Sequence, residues 1–189
     1  MNQVITIGRE LGSGGRTVGK EVARLLNIPY YDRELIDEAA KESGLSSDFI
    51  ENNEQEITSS FLYNLAMGNS YTYGMLGLGG TNSMPLTMQV FLAQQKVIQK
   101  YAANPCVIVG RCADFILREK TNVLRVFIYA SMEERIRRAV EEYGYSEKKA
   151  LDVIAKSDKG RARHYATFTE WDGGDRRNYD LMLNAGSLG

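Results

Sequence analysis

Short runs of β-branched and aliphatic residues alternate along the chain with longer stretches whose apolar positions recur every three or four residues. Val4-Ile5-Thr6-Ile7 shows no in-and-out alternation, the pattern of a strand covered on both faces. After a glycine-rich segment, Val18, Val22, Ala23, Leu25 and Leu26 space a helix over 17–26, which Asn27-Ile28-Pro29 breaks. Ile28 to Tyr31 reads as a second short strand closed by Asp32, and Leu35, Ile36, Ala39 and Ala40 line a helix ending near Gly44. Further strands are predicted at Cys106 to Val109, Leu124 to Tyr129 and Tyr179 to Leu183, with helices over Met88 to Tyr101 and Met132 to Tyr143. This alternation predicts a parallel sheet, with the strand near residue 4 at its centre and those near 106 and 124 beside or close to it.

The middle breaks the rhythm. Ser46 to Leu65 has a polar helical pattern, and Gly68 to Met84 is rich in Gly, Ser, Thr, Asn and Tyr without periodicity. The stretch 46–85 reads as an insertion over one end of the sheet. Its tip is either an active-site cover or a plain surface loop.

Composition narrows the classes. At 189 residues the chain suits one domain, and a net charge of -1 carries no broad basic field for extended nucleic acid or anionic membrane. Two cysteines without CxxC spacing and one histidine make no usual zinc set. No apolar run is long enough to cross a bilayer, and Met1-Asn2-Gln3 leads into a strand rather than a secretion signal, so a cytoplasmic setting is expected.

The candidate chemistry starts at Gly12-Ser13-Gly14-Gly15-Arg16-Thr17. Glycines let successive backbone N–H groups turn toward one anion, and a helix starting here points its positive end at the same place. The Thr17 hydroxyl is a candidate ligand for Mg²⁺. The segment departs from the standard GxxxxGK[ST] rule, because Arg16 stands where lysine belongs and Gly8 lies too far upstream. Arg16, Lys20 or Arg9 is then the available cation. A plain glycine turn and a dinucleotide-binding turn are the competing readings, although GxGxxG does not fit in register.

Two other positions stand at predicted strand ends, where open α/β sheets gather ligands. Arg111 is read as a phosphate contact or a structural ion pair, and Asp32 as a site carboxylate, a cap for the helix from Arg33, or both. On one helix Arg161 and Arg163 do not share a face, so Arg161 is taken as the inward one. Arg137 suits a solvated face among Glu133, Glu134, Glu141 and Glu142, and His164 a surface or lid position rather than a base.

Taken together, ITIGRELGSGGRTVGKEVA, IPYYDRELI, VIVGRCADFIL, VFIYASMEERIRRAVE, SDKGRARHYATFT and NYDLMLNAGSLG resemble the cytidylate kinase-like family, a divergent branch of the P-loop nucleoside monophosphate kinases, almost end to end. The resemblance implies a single three-layer α/β/α P-loop kinase domain over 1–189, with a parallel five-stranded sheet and a helical, acceptor-binding insertion at 46–85. It also implies a lid at 157–168 bearing Asp158, Arg161 and Arg163. Gly12 to Thr17 takes the place of the phosphate loop, Asp32 that of an acidic residue near metal and acceptor, and Arg111 that of an arginine gripping the acceptor phosphate. Cys112 stands where the family's cytosine-selecting aspartate would be, with Asp114 nearby.

The expected function is ATP- and Mg²⁺-dependent phosphoryl transfer to a small acceptor, a nucleoside monophosphate such as CMP being one candidate. Arg16, Asp32 and Arg161 are the expected catalytic residues. A nucleotide- or phosphate-binding regulatory module without turnover is the alternative, and a dinucleotide binder a third reading.

Overall fold

The computed structural model describes residues 3–44, 47 and 86–187. Five parallel strands form one sheet in the order β2-β3-β1-β4-β5: β1 (Val4–Arg9), β2 (Tyr30–Tyr31), β3 (Cys106–Val109), β4 (Val123–Tyr129) and β5 (Leu181–Asn184). The strand near residue 4 is central, between those near 106 and 124, as its run without in-and-out alternation predicts. β5 starts two residues later than the sequence pattern suggests, and Tyr179 instead packs against Phe127.

Strand alternation splits the core in two. Val4, Cys106 and Ile108 face α2 (Glu34–Ser43), α3 (Leu86–Tyr101) and the short α4 (Ala113–Ile116). Ile5, Ile7, Val107, Val109, Val126 and Ile128 face α1 (Gly15–Leu26). The sheet is therefore the middle of three layers. A third, smaller cluster joins α5 (Met132–Glu141) to α6 (Glu147–Thr169) through Ala139, Ala150 and Ile154, with Leu11 and Ile136 packed on it.

Helix α1 starts at Gly15, so Arg16 and Thr17 already lie in its first turn. Its inward face is the small-residue stripe Gly15, Gly19 and Ala23, with Val18 and Val22 beside it. Leu25 and Leu26, expected on that face, are exposed, because the small stripe sets the helix phase by letting the backbone approach the sheet. Helix α5 opens on a capping Ser131, whose hydroxyl accepts from the Glu134 N–H at 3.2 Å. Residues 157–168 form part of the continuous 23-residue α6 rather than a separate element. The insertion expected at 46–85, apart from residue 47, lies outside the described residues. Among the described residues no helix is long and apolar enough to cross a membrane.

Candidate active site

The carboxyl ends of β1 to β4 lie on one edge of the parallel sheet, and the polar residues gather there. A cleft of about 640 Å³ opens at this edge, walled by Arg9, Arg16, Arg111, Arg161, His164 and Tyr179 among others. A smaller hollow beside it is formed by Gly12, Gly14, Gly15, Arg16 and Thr17.

The hollow's shape follows from its glycines. Gly12 and Gly14 take φ of +76° and +81°, and Gly14 directly precedes α1. That geometry leaves the first-turn N–H groups of α1 without intrahelical acceptors at the mouth of the hollow. A Cβ on Gly14 would collide with the Arg138 guanidinium, so a cation from α5 lies against the turn. Ser13 is buried and its hydroxyl donates to the Glu10 carbonyl at 2.9 Å, bracing the turn from within. Arg135 braces it from outside: its Nε donates to the Leu11 carbonyl at 2.7 Å, and the same guanidinium pairs with Asp158 of α6 and lies 3.4 Å from Glu10. The Leu11 N–H donates to Asp158 Oδ1 at 3.0 Å, so loop, α5 and α6 form one hydrogen-bonded unit.

Asp32 does not cap a helix. Helix α2 begins at Glu34 with Arg33 in the cap position, and no side chain caps it. The Asp32 carboxylate instead serves tertiary partners, with Arg16 Nε at 2.7 Å and Arg9 at 3.8 Å. Its Oδ1 is buried without a hydrogen-bond partner among the described residues. Arg161 lies alongside, its Nη1 donating to the Arg9 carbonyl at 3.4 Å. Two guanidiniums thus pair with one carboxylate, and a third stands beside them. Burial lowers Arg9 even against the pull of Asp32, and burial with the adjacent Arg9 charge brings Arg161 down to about 10.

After β3, next to the Arg9 guanidinium, Gly110, Arg111 and Cys112 are three consecutive left-handed residues, with φ of +75°, +59° and +54°. Two of them carry side chains, each at a cost of order 1–3 kcal/mol. The turn drops Cys112 into the core and leaves Arg111 on the cleft wall. Burial pushes the Cys112 thiol up, away from nucleophilic use. Asp114 is also buried and accepts from the Tyr165 hydroxyl at 2.7 Å; burial raises its carboxyl.

Among the sequence-predicted residues, Gly12 to Thr17, Asp32, Arg16 and Arg161 come together near the glycine turn, and Arg111 lies on the wall of the same cleft. Thr17 is exposed on the first turn of α1. Asp158 ties α6 to Leu11 and Arg135, and Arg163 is absent from the cleft wall. Arg137 stays on the surface, paired with Glu134 and Glu141 at 2.8 Å each. His164, expected at the surface or in the lid, lies within 157–168 on the cleft wall, with both ring nitrogens buried and without a hydrogen-bond partner among the described residues. The bracing role of Arg135 and the position of Arg138 carry no local sequence signal; for Arg9, its place at the end of the central strand was one.

A parallel sheet in this strand order, with a glycine loop and helix following the central strand, defines the P-loop kinase fold. Within that class, the model of the cytidylate kinase-like family matches residues 4–187, and the chain belongs to that family. A cytidylate kinase from Pyrobaculum aerophilum is 25% identical over 186 residues, covering 98% of this chain and 85% of that protein. A uronate isomerase from Corynebacterium glutamicum is 25% identical over 147 residues, 76% of this chain, which spans 28% of that relative's length. Among solved structures, an uncharacterized protein from Eubacterium ventriosum superposes with a TM-score of 0.71 at 30% identity, covering 98% of this chain and 89% of that one. A shikimate kinase from Bacteroides thetaiotaomicron shares the fold, with a TM-score of 0.51 at 16% identity over 98% of this chain and 88% of its own.

Proposed function

We propose that the protein transfers the γ-phosphoryl group of ATP to a small acceptor, a nucleoside monophosphate such as CMP being the class to which family membership points. The observation that carries this reading is the gathering of Arg9, Arg16 and Arg161, the first two paired with Asp32 and the third on the Arg9 carbonyl, beside a glycine turn and a helix N-terminus. Mutually repelling cations at such a place are relieved by a polyanion, and phosphoryl transfer consists largely of charge neutralisation and alignment.

The N–H groups of the turn and of the first α1 residues hold the β- and γ-phosphates. Arg161 lies on the transferring group, and Arg16 leaves Asp32 to meet the donor phosphates, standing in for the usual lysine. Arg111 holds the acceptor's phosphate in the same cleft. Thr17 and Asp32, whose Oδ1 accepts no hydrogen bond among the described residues, are the residues that fit Mg²⁺, which when bound neutralises phosphate charge.

ADP release, measured with ATP and Mg²⁺ over a panel of nucleoside monophosphates, nucleosides and small phosphorylated metabolites, tests the proposal. Arg111→Ala is expected to abolish transfer or raise the acceptor KM about ten- to a hundred-fold, with binding of a non-hydrolysable ATP analogue nearly unchanged. Binding of the analogue with no acceptor-dependent ADP release across the panel would replace the kinase reading with that of a regulatory nucleotide-binding module.

A further inference from the structure

We propose that His164 determines acceptor specificity, hydrogen-bonding the base of a nucleoside monophosphate whose phosphate is held by Arg111; this rests on the phosphoryl-transfer reading above. Ser157, Arg161, His164 and Tyr165 recur at three- and four-residue steps on α6 and all line the cleft, so one helix face presents the phosphate-end arginine and the histidine together.

The ring's surroundings are unusual. Both Nδ1 and Nε2 are buried and neither has a hydrogen-bond partner among the described residues. Buried polar groups in folded proteins are nearly always paired, so an orphaned pair of ring nitrogens on a cleft wall points to a partner that arrives with the ligand. The neighbouring side chains do not supply one. Phe168 packs against one side of the ring with centroids 4.9 Å apart, and the Tyr165 hydroxyl is committed to Asp114.

Arg111 supplies the adjoining positive charge, which with burial keeps the imidazole neutral. A neutral ring offers one donor and one acceptor and makes a poor second phosphate clamp. It suits an amide-like or amino edge, as nucleobases present. Cys112, the neighbouring polar candidate after Arg111, is buried and burial holds its thiol protonated, so it offers a base little.

His164 is the chain's single histidine, so the imidazole signals of ¹⁵N-histidine-labelled protein all belong to it. The labelled protein would be titrated separately with CMP, UMP, AMP, GMP, ribose 5-phosphate, inorganic phosphate and an ATP analogue, with calorimetry in parallel. The expected result is that at least one nucleoside monophosphate shifts a ring nitrogen and fixes its tautomer, whereas ribose 5-phosphate and inorganic phosphate do not. His164→Phe should weaken that monophosphate about ten- to a hundred-fold and flatten the ranking of the four, while ATP-analogue affinity stays within about twofold. His164→Gln should restore part of the ranking.

A monophosphate that binds with the ring nitrogens unmoved, and with affinity and ranking intact in His164→Phe, overturns the proposal. If the ATP analogue binds and no nucleoside monophosphate does, the proposal falls and the donor site stands. If neither binds, the phosphoryl-transfer reading falls with it. Should His164→Phe fail to fold, the wild-type titration alone decides.

Discussion

Burying a neutral imidazole ties stability to pH, and replacing His164 should cut that tie. Burial and the Arg111 charge bring the His164 ring in the folded state to about 4, against 6.5 for the ordinary group. Between these values the unfolded chain takes up a proton that the folded chain refuses. Acid therefore draws the equilibrium toward unfolding, and the penalty is absent above the unfolded value. Its slope is about 1.4 kcal/mol per pH unit, so the loss approaches roughly 3 kcal/mol near pH 4. His164→Phe keeps an aromatic ring of similar size and removes the proton. Urea unfolding of both proteins at pH 7.5, 6.5, 5.5 and 4.5 gives the comparison. Carboxyls such as Asp114, which burial raises, titrate in both proteins and cancel in the difference. The variant should gain on the wild type as pH falls from 6.5, by about 2 kcal/mol at pH 5. Parallel stability curves across this range would refute the reasoning, since the ring would then titrate alike folded and unfolded.

Arg135→Met should cost about 2–3 kcal/mol in urea unfolding, because the guanidinium is buried while its partners Asp158 and Glu10 keep some access to water. Gly14→Ala should lower ATP-analogue affinity by more than tenfold in calorimetry, since a Cβ there meets both a left-handed backbone and the Arg138 guanidinium. Arg16→Ala should change stability by less than about 1 kcal/mol, its side chain being half-exposed, yet weaken the ATP analogue about tenfold. Unchanged ATP affinity in that variant would leave Arg16 as a partner of Asp32 alone.

The central sheet was legible because Val4 to Ile7 and Cys106 to Val109 are apolar at every step but one, which only strands covered on both faces require. The glycine turn ahead of α1 was legible because clustered glycines after a strand break it and let a helix start at once. Helix phase was not: apolar counting gave weight to Leu25 and Leu26, whereas Gly15, Gly19 and Ala23 decide which side approaches the sheet. A local rule could not separate the readings of Asp32, because its partner Arg16 lies outside the helix that the rule considers. The contacts of Leu11 with Asp158 and Arg135 join residues 147 and 124 positions apart, and no window on the sequence contains them. His164 was left between surface and lid for a related reason, since a lone histidine on a polar helix has no marked face until the cleft wall is assembled around it.

The bond from the Leu11 amide to Asp158 makes one backbone proton a clock for the far end of the molecule. That proton lies next to the glycine turn, but the oxygen shielding it belongs to α6. Any swing of α6 away from the sheet edge strips the shield while leaving the strand before it intact. Exchange with deuterium at Leu11, timed against amides inside β1, therefore separates opening of the cleft from unfolding of the core. The same measurement counts openings without a substrate, a coupled assay or a label on the helix that moves.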